Sequence, residues 1–331
     1  MIARSKLPSW WRLLAFLVVL AAISALLAQH HLHAYALGPA PMAALFGCFL
    51  LLLSFALAPG VPSIREPLAM CVAAIPVIAL PAVWCVPYLL YAAGTGDFRW
   101  MAVLRLVVFA VPPLAIYKWL PVKSLSKFCW QDAVVALFLI AAVLSGELKG
   151  VWNVPLNLDF MARLFVITVA GWSFAFVRGV PGVRYELAIS REVLPAAALN
   201  FAYFAVIALP AGLALHFIQW NPRWKGPIDF LFAYAEIFLF IALLEELFFR
   251  GFLQSLISSS LESVWRGQLI VACLFGLFHI LHAPFPNWRY VALASVAGWF
   301  YGSAFQHGGI LASALTHAMV DTVWRTWLSA N

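Results

Sequence analysis

The chain has 331 residues, of which 65% are hydrophobic and only 10% charged, with a formal net charge of +7. Soluble globular domains are about 45–50% apolar, so this composition excludes them and indicates a polytopic membrane protein. The positive excess fits Lys and Arg gathered in cytoplasmic loops. No basic cluster interleaved with aromatics points to a nucleic-acid partner.

A span needs about 20 apolar residues. The first run, Trp10–Ala28, follows Arg4, Lys6 and Arg12 and resembles the start of a signal peptide. Its end, Gln29-His30-His31-Leu32-His33, carries no small-residue cleavage pattern, so it reads as a retained helix. Further runs follow at Pro41–Ala58, Pro67–Ala93, Met101–Trp119, Trp130–Leu148, Leu158–Val177, Leu194–Ile218, Ile228–Ile257, Gly267–Leu281, Trp288–Gln306 and Ile310–Leu328. The expected fold is therefore an all-α transmembrane bundle of about eleven spans. Pro76, Pro81 and Pro87 predict a kink or two half-spans in the third run.

Loop charges set the orientation. Arg4, Lys6, Arg12, Arg65, Lys118, Lys123, Lys127, Arg178, Arg184, Arg191 and Arg266 fall on one side. The other side holds Arg99, Lys149, Arg223, Lys225 and Arg289. This predicts a cytoplasmic N-terminus in a multi-pass protein, with a bacterial inner membrane as its setting. The basic loop Arg178–Arg191 divides the chain into accessory helices over residues 1–190 and a working core over residues 191–331. Cys48, Cys71, Cys85, Cys129 and Cys273 are isolated; without a C-x-x-C pair they indicate neither a zinc site nor a redox motif.

The core carries its charges where they are costly. Glu245, Glu246 and Arg250 lie inside an apolar run, and an intramembrane ionisable group costs about 2.5–3.5 kcal/mol or more. Glu246 and Arg250 are four apart and can pair on one helical face. Glu245 is turned about 100° away, so a structural ion pair leaves it unexplained. Phe275 and His279 share a face of the next helix, as do His317 and Asp321 on the last. Asp321 also has Arg325 four residues on as a competing partner. Gly276, Gly298, Gly302, Ala312 and Ala314 would let these helices approach closely. His216, His282 and His307 sit near span ends and read as packing residues. Arg105 and Arg163 read as snorkelling side chains.

A carboxylate and a histidine can hold and deprotonate water, and further donors can stabilise the oxyanion of amide hydrolysis. The order Glu-Glu-x-x-x-Arg, Phe-x-x-x-His, His-x-x-x-Asp on successive helices resembles the CPBP family of CAAX proteases and bacteriocin-processing enzymes, which includes the type II CAAX prenyl endopeptidases. The resemblance covers about residues 194–331. It implies a glutamic-type intramembrane endopeptidase without a cofactor. Glu245 would be the catalytic base, assisted by His279, with His317 and the residue at 321 on the oxyanion side. Glu246 and Arg250 would position Glu245, and Phe275 would support the site. The prenyl endopeptidases typically have asparagine where this chain has Asp321. The stretch from His317 to Trp324 is more similar to members linked to exosortase-type sorting. The implied partners are membrane lipid and a peptide or protein substrate with a membrane-proximal C-terminal segment, prenylated or exported. Two alternatives stay open on the residues alone: zinc held by Glu245, His279 and His317, and a proton- or ion-coupled transporter.

Overall fold

The computed structural model describes residues 9–32, 37–153, 158–180, 187, 189–282 and 284–330. Arg4, Lys6, His33 and Arg184 lie outside them. The chain divides into two compact units, Met1–Val183 and Arg184–Asn331.

The fold is all-α and polytopic. Six helical segments among the described residues are long and apolar enough to cross a membrane: Pro39–Gly60, Val77–Thr95, Trp100–Trp119, Asp159–Val177, Val193–Ala214 and Pro227–Ser260. The sequence reading of about eleven spans is larger: Trp130–Ser145 and Val264–Phe278 are apolar but shorter, and the two arms of the last helical run are not among the six. The third run breaks at Ile75–Pro76 into α3 (Pro62–Ala74), then α4 (Leu80–Trp84) and α5 (Val86–Thr95). Proline supplies no amide hydrogen, which is the physical reason for the break. The run from Trp130 yields a shorter helix, α7 (Trp130–Ser145), which ends at Gly146 in the left-handed region.

In the first unit, α1 (Ser9–Leu32) and α2 (Pro39–Leu57) precede α3–α5; α6 (Trp100–Trp119) precedes α7, and α8 (Asp159–Trp172) follows it. Trp84 and Trp172 meet edge to face with ring centroids 6.1 Å apart. Arg178, read from the sequence as a free loop charge, is instead buried. Its Nε donates to Asp132 Oδ1 at 2.9 Å, and its Nη2 donates to the Ser124 and Lys127 carbonyls. Asp132 also accepts from the Tyr117 hydroxyl and the Cys129 amide. One satisfied ion pair thus ties the loop before α7 to the end of the helical run after α8.

In the second unit, α9 (Val193–Ala214) leads into a short strand, β1 (Ile218–Trp220). Next comes one long helical run made of α10 (Pro227–Ile237), a π-helical segment (Phe238–Ala242), α11 (Leu243–Glu246), a second π-helical segment (Leu247–Gln254) and α12 (Ser255–Ser260). Helix α13 (Val264–Phe278) starts at the Ser263 cap and ends one residue before His279. Gly276 lets α13 meet the following helix: an added Cβ would lie 2.0 Å from Ser295 Oγ.

The last two expected spans form one run, α14 (Trp288–Trp327), interrupted at Gly309 with φ 74° and ψ −168°. That backbone is natural for glycine and strained for other residues. Tyr290 and Trp324 lie 34 positions apart, which in a straight helix is about 50 Å. Their rings are 6.1 Å apart. The run is therefore a hairpin folded at Gly308–Gly309, with one arm on each side. After it, β2 (Leu328–Ala330) pairs antiparallel with β1. The sequence reading did not anticipate this two-stranded sheet. Strand β1 lies at the foot of α9 and is followed by Trp224, whose ring stacks on Trp327 at 5.5 Å.

Candidate functional site

Two carboxylates share the single α-helical turn between the two π-helical segments. Such bulges widen a helix locally and are frequent at functional sites. Glu246 is fully buried. Arg250 lies within 3.1 Å of both of its carboxylate oxygens. The same guanidinium donates to the Gly298 carbonyl at 2.8 Å and lies 4.7 Å from the Phe275 ring centroid. A buried charge is tolerated only when paired and hydrogen-bonded, and here both conditions are met.

The second arm of α14 supplies two further partners to Glu246. The Ser313 hydroxyl donates to Glu246 Oε2 at 2.5 Å, and His317 Nδ1 lies 2.8 Å from Glu246 Oε1. His317 Nε2 faces Asp321 Oδ2 at 3.4 Å. The imidazole is thus set between two carboxylates, and the Tyr301 ring lies flat against it, 4.5 Å away at 14°. Asp321 does not pair with Arg325 as the four-residue spacing allowed. Arg325 donates instead to Glu236 Oε2 at 2.9 Å.

Glu245 is not hydrogen-bonded into this network. Its Oε2 is buried and makes no hydrogen bond among the described residues. The carboxylate interacts electrostatically with His279, Arg250 and Tyr290. Because α13 stops at Phe278, His279 is not on a continuing helical face. Its ring still packs on Phe275 at 4.8 Å, and its Nδ1 lies 2.8 Å from the Phe275 carbonyl. A carbonyl can only accept, so Nδ1 carries hydrogen and Nε2 of the neutral ring is left as an acceptor.

A cavity of about 260 Å³ opens beside these groups. His279, His317, Asp321, Tyr290 and Tyr301 line it, with apolar walls from α9 and α10 and from Ile218 and Leu328 of the two strands. Glu245, Glu246 and Arg250 are not on its lining. The arrangement joins a tightly held ion-pair network, a carboxylate oxygen without a hydrogen-bond partner, and an acceptor imidazole at an apolar chamber. That set can activate water against a bound carbonyl.

Sequence reasoning missed Ser313, Tyr290 and Tyr301, and it assigned His282 to packing. The rings of His282 and Tyr290 are stacked 4.7 Å apart, and His282 also stacks on His279 at 5.3 Å. Ser313 was accessible to helical spacing, four residues before His317. His216 and His307 are exposed and away from the cavity lining. Among the described residues, no three His, Cys, Asp or Glu side chains converge to hold a metal ion. Both nitrogens of His317 already face carboxylates, so zinc on Glu245, His279 and His317 does not fit this geometry.

Residues 227–323 match the family model described as Type II CAAX prenyl endopeptidase Rce1-like. The matched segment contains Glu245, Glu246, Arg250, Phe275, His279, His317 and Asp321. No curated protein and no solved structure matches the chain.

Proposed function

We propose, from the premise that this chain is a membrane peptidase carrying a type II CAAX prenyl endopeptidase Rce1-like domain at residues 227–323, that it is a glutamic-type endopeptidase. Its substrate is a peptide or protein with a membrane-proximal C-terminal segment. Glu245 is the general base. It takes a proton from a water that also donates to His279 Nε2. The water oxygen bonds to the scissile carbonyl carbon. The carbon–nitrogen bond then breaks, and the proton held by Glu245 passes to the leaving amine.

Glu246, itself held by Arg250 and Ser313, holds His317, and Asp321 faces its other nitrogen. Phe275 fixes His279 through its carbonyl and supports Arg250 through its ring. Residues 191–331 perform the chemistry, and residues 1–190 are accessory. Lipid surrounds the apolar outer face of α9, where Leu194 and Val206 are more than 70% exposed. Loop charge supports a cytoplasmic N-terminus in a bacterial inner membrane, even with Arg178 withdrawn from the count.

The observation that carries this reading is the division of labour between adjacent glutamates. Glu246 is saturated with partners, while Glu245 has a buried oxygen without a hydrogen-bond partner. A merely structural pair would not need the second carboxylate. The test is incubation of purified protein with a library of C-terminal peptides, followed by mass spectrometry, for wild type and Glu245→Gln. Cleavage by the wild type alone is expected. Equal cleavage by both would overturn the assignment.

A further inference from the structure

The proposed hydrolysis places negative charge on the former carbonyl oxygen, and a preorganised hydrogen-bond donor there is worth a large part of the rate. The donors at the cavity can be counted. His317 directs Nδ1 at Glu246 and Nε2 at Asp321. Asp321 as a carboxylate only accepts. Arg325 is paired with Glu236. His279 spends Nδ1 on the Phe275 carbonyl. Tyr290, Tyr301 and Trp324 remain on the lining.

Tyr301 is buried flat under the His317 ring. Trp324 meets Tyr290 edge to face, at 72°, on the side of the strand pair. Tyr290 is half-buried, and its hydroxyl makes no hydrogen bond among the described residues. Its ring is stacked on His279 at 5.4 Å and on His282 at 4.7 Å, which fixes where the phenol points. Asn287 fixes the backbone as well, accepting from the Tyr290 amide at 2.9 Å. Tyr290 lines the same cavity as His279, His317 and Asp321.

We infer that Tyr290 is a further catalytic residue of this site, its hydroxyl donating to the oxyanion of the tetrahedral intermediate. This rests on the hydrolytic reading above. The phenol keeps its proton throughout. As water oxygen bonds to carbon, the carbonyl π electrons move to oxygen, which accepts from Tyr290. As the carbon–nitrogen bond breaks, the carbonyl reforms and that hydrogen bond relaxes.

The experiment compares wild type, Tyr290→Phe and Trp324→Phe, using the fastest-cleaved peptide from the library. A phosphonate version of that peptide, with its tetrahedral anionic group at the cleaved bond, is the probe for oxyanion binding. Tyr290→Phe is expected to lower kcat about a hundredfold or more with little change in KM, and to weaken the phosphonate by a similar factor. A residue that only packs against His279 would not separate phosphonate from substrate in this way. If Tyr290→Phe does not fold, ring-fluorinated tyrosines at position 290 keep both ring and hydroxyl. A graded change in kcat with phenol acidity then supports the role, and a flat response overturns it. Full activity in Tyr290→Phe, or a kcat loss confined to Trp324→Phe, also overturns it. Absence of cleavage by the wild type would instead defeat the hydrolase reading on which it rests.

Discussion

His317 Nδ1 lies 2.8 Å from Glu246 Oε1, joining residues 71 positions apart in the chain. This contact makes Glu246 the organiser of the histidine side of the site and leaves Glu245 unencumbered. The consequences for the two glutamates therefore differ.

Glu245→Gln should abolish peptide cleavage while folded yield and membrane insertion stay at wild-type level, because the amide keeps the shape and removes the base. Arg250→Ala should act on folding instead. It leaves Glu246 buried without its cation, at a cost of about 3–5 kcal/mol. Detergent-extracted monodisperse yield and thermal unfolding separate the two effects. Wild-type stability in Arg250→Ala would show that the pair is dispensable.

Removing the Ser313 hydroxyl takes away a hydrogen bond to a charged acceptor, worth about 1.5–3 kcal/mol. Ser313→Ala should lower thermal stability by that order and reduce kcat by loosening Glu246 and His317. Ser313→Thr should recover part of both if the added methyl is accommodated. An unchanged melting temperature in the alanine variant would rule out the contact.

Asp321→Asn should lower activity, since the ring of His317 then faces one carboxylate rather than two. Kinetics of the variant against the best peptide substrate give the answer. Activity equal to wild type across the pH range would show that a neutral side chain suffices at this position.

Exhaustive chelation should leave cleavage intact, because both nitrogens of His317 are occupied by carboxylates. Stoichiometric zinc in purified protein, with activity lost on its removal and restored on its return, would reverse that expectation.

The loop after α13 should face outward. Loop charge puts the N-terminus inside, and with the run ending at Leu281 as the ninth of the spans expected from the sequence, Phe285 to Arg289 lie on the opposite side. Phe285 is well exposed and suits a labelling cysteine; Asn287, buried as the cap of α14, does not. Phe285→Cys, with the native cysteines replaced, should react with a membrane-impermeant thiol reagent on intact cells. Reaction only after lysis would place the loop inside.

Much of the site was legible from spacing alone. Glu246 with Arg250, and His317 with Asp321, are four apart on helices and do meet. Spacing failed where a distant partner competed with a near one: Arg325 left Asp321 for Glu236, and Arg178 left the loop for Asp132. The π-helical segments around the glutamates have no compositional signature, whereas the break at Gly309 falls at the Gly308-Gly309 pair that separates the last two expected spans. The folding back of α14 at that point brings Tyr290 and Ser313 to the site, and the loop after α13 brings His282. Their roles depend on tertiary approach, which helical periodicity does not encode.

The pairing of Glu246 with Arg250 has a further consequence for biosynthesis. A ribosome makes Glu246 67 residues before Ser313 and 71 before His317. During that interval neither partner from α14 exists. Arg250 follows within one turn and can neutralise Glu246 as the helix enters lipid. The arginine thus serves first as an escort for insertion and only afterwards as part of a finished network. In a cell-free insertion assay on a chain truncated before α14, which lacks Ser313 and His317, Arg250→Ala should lower membrane integration of the segment.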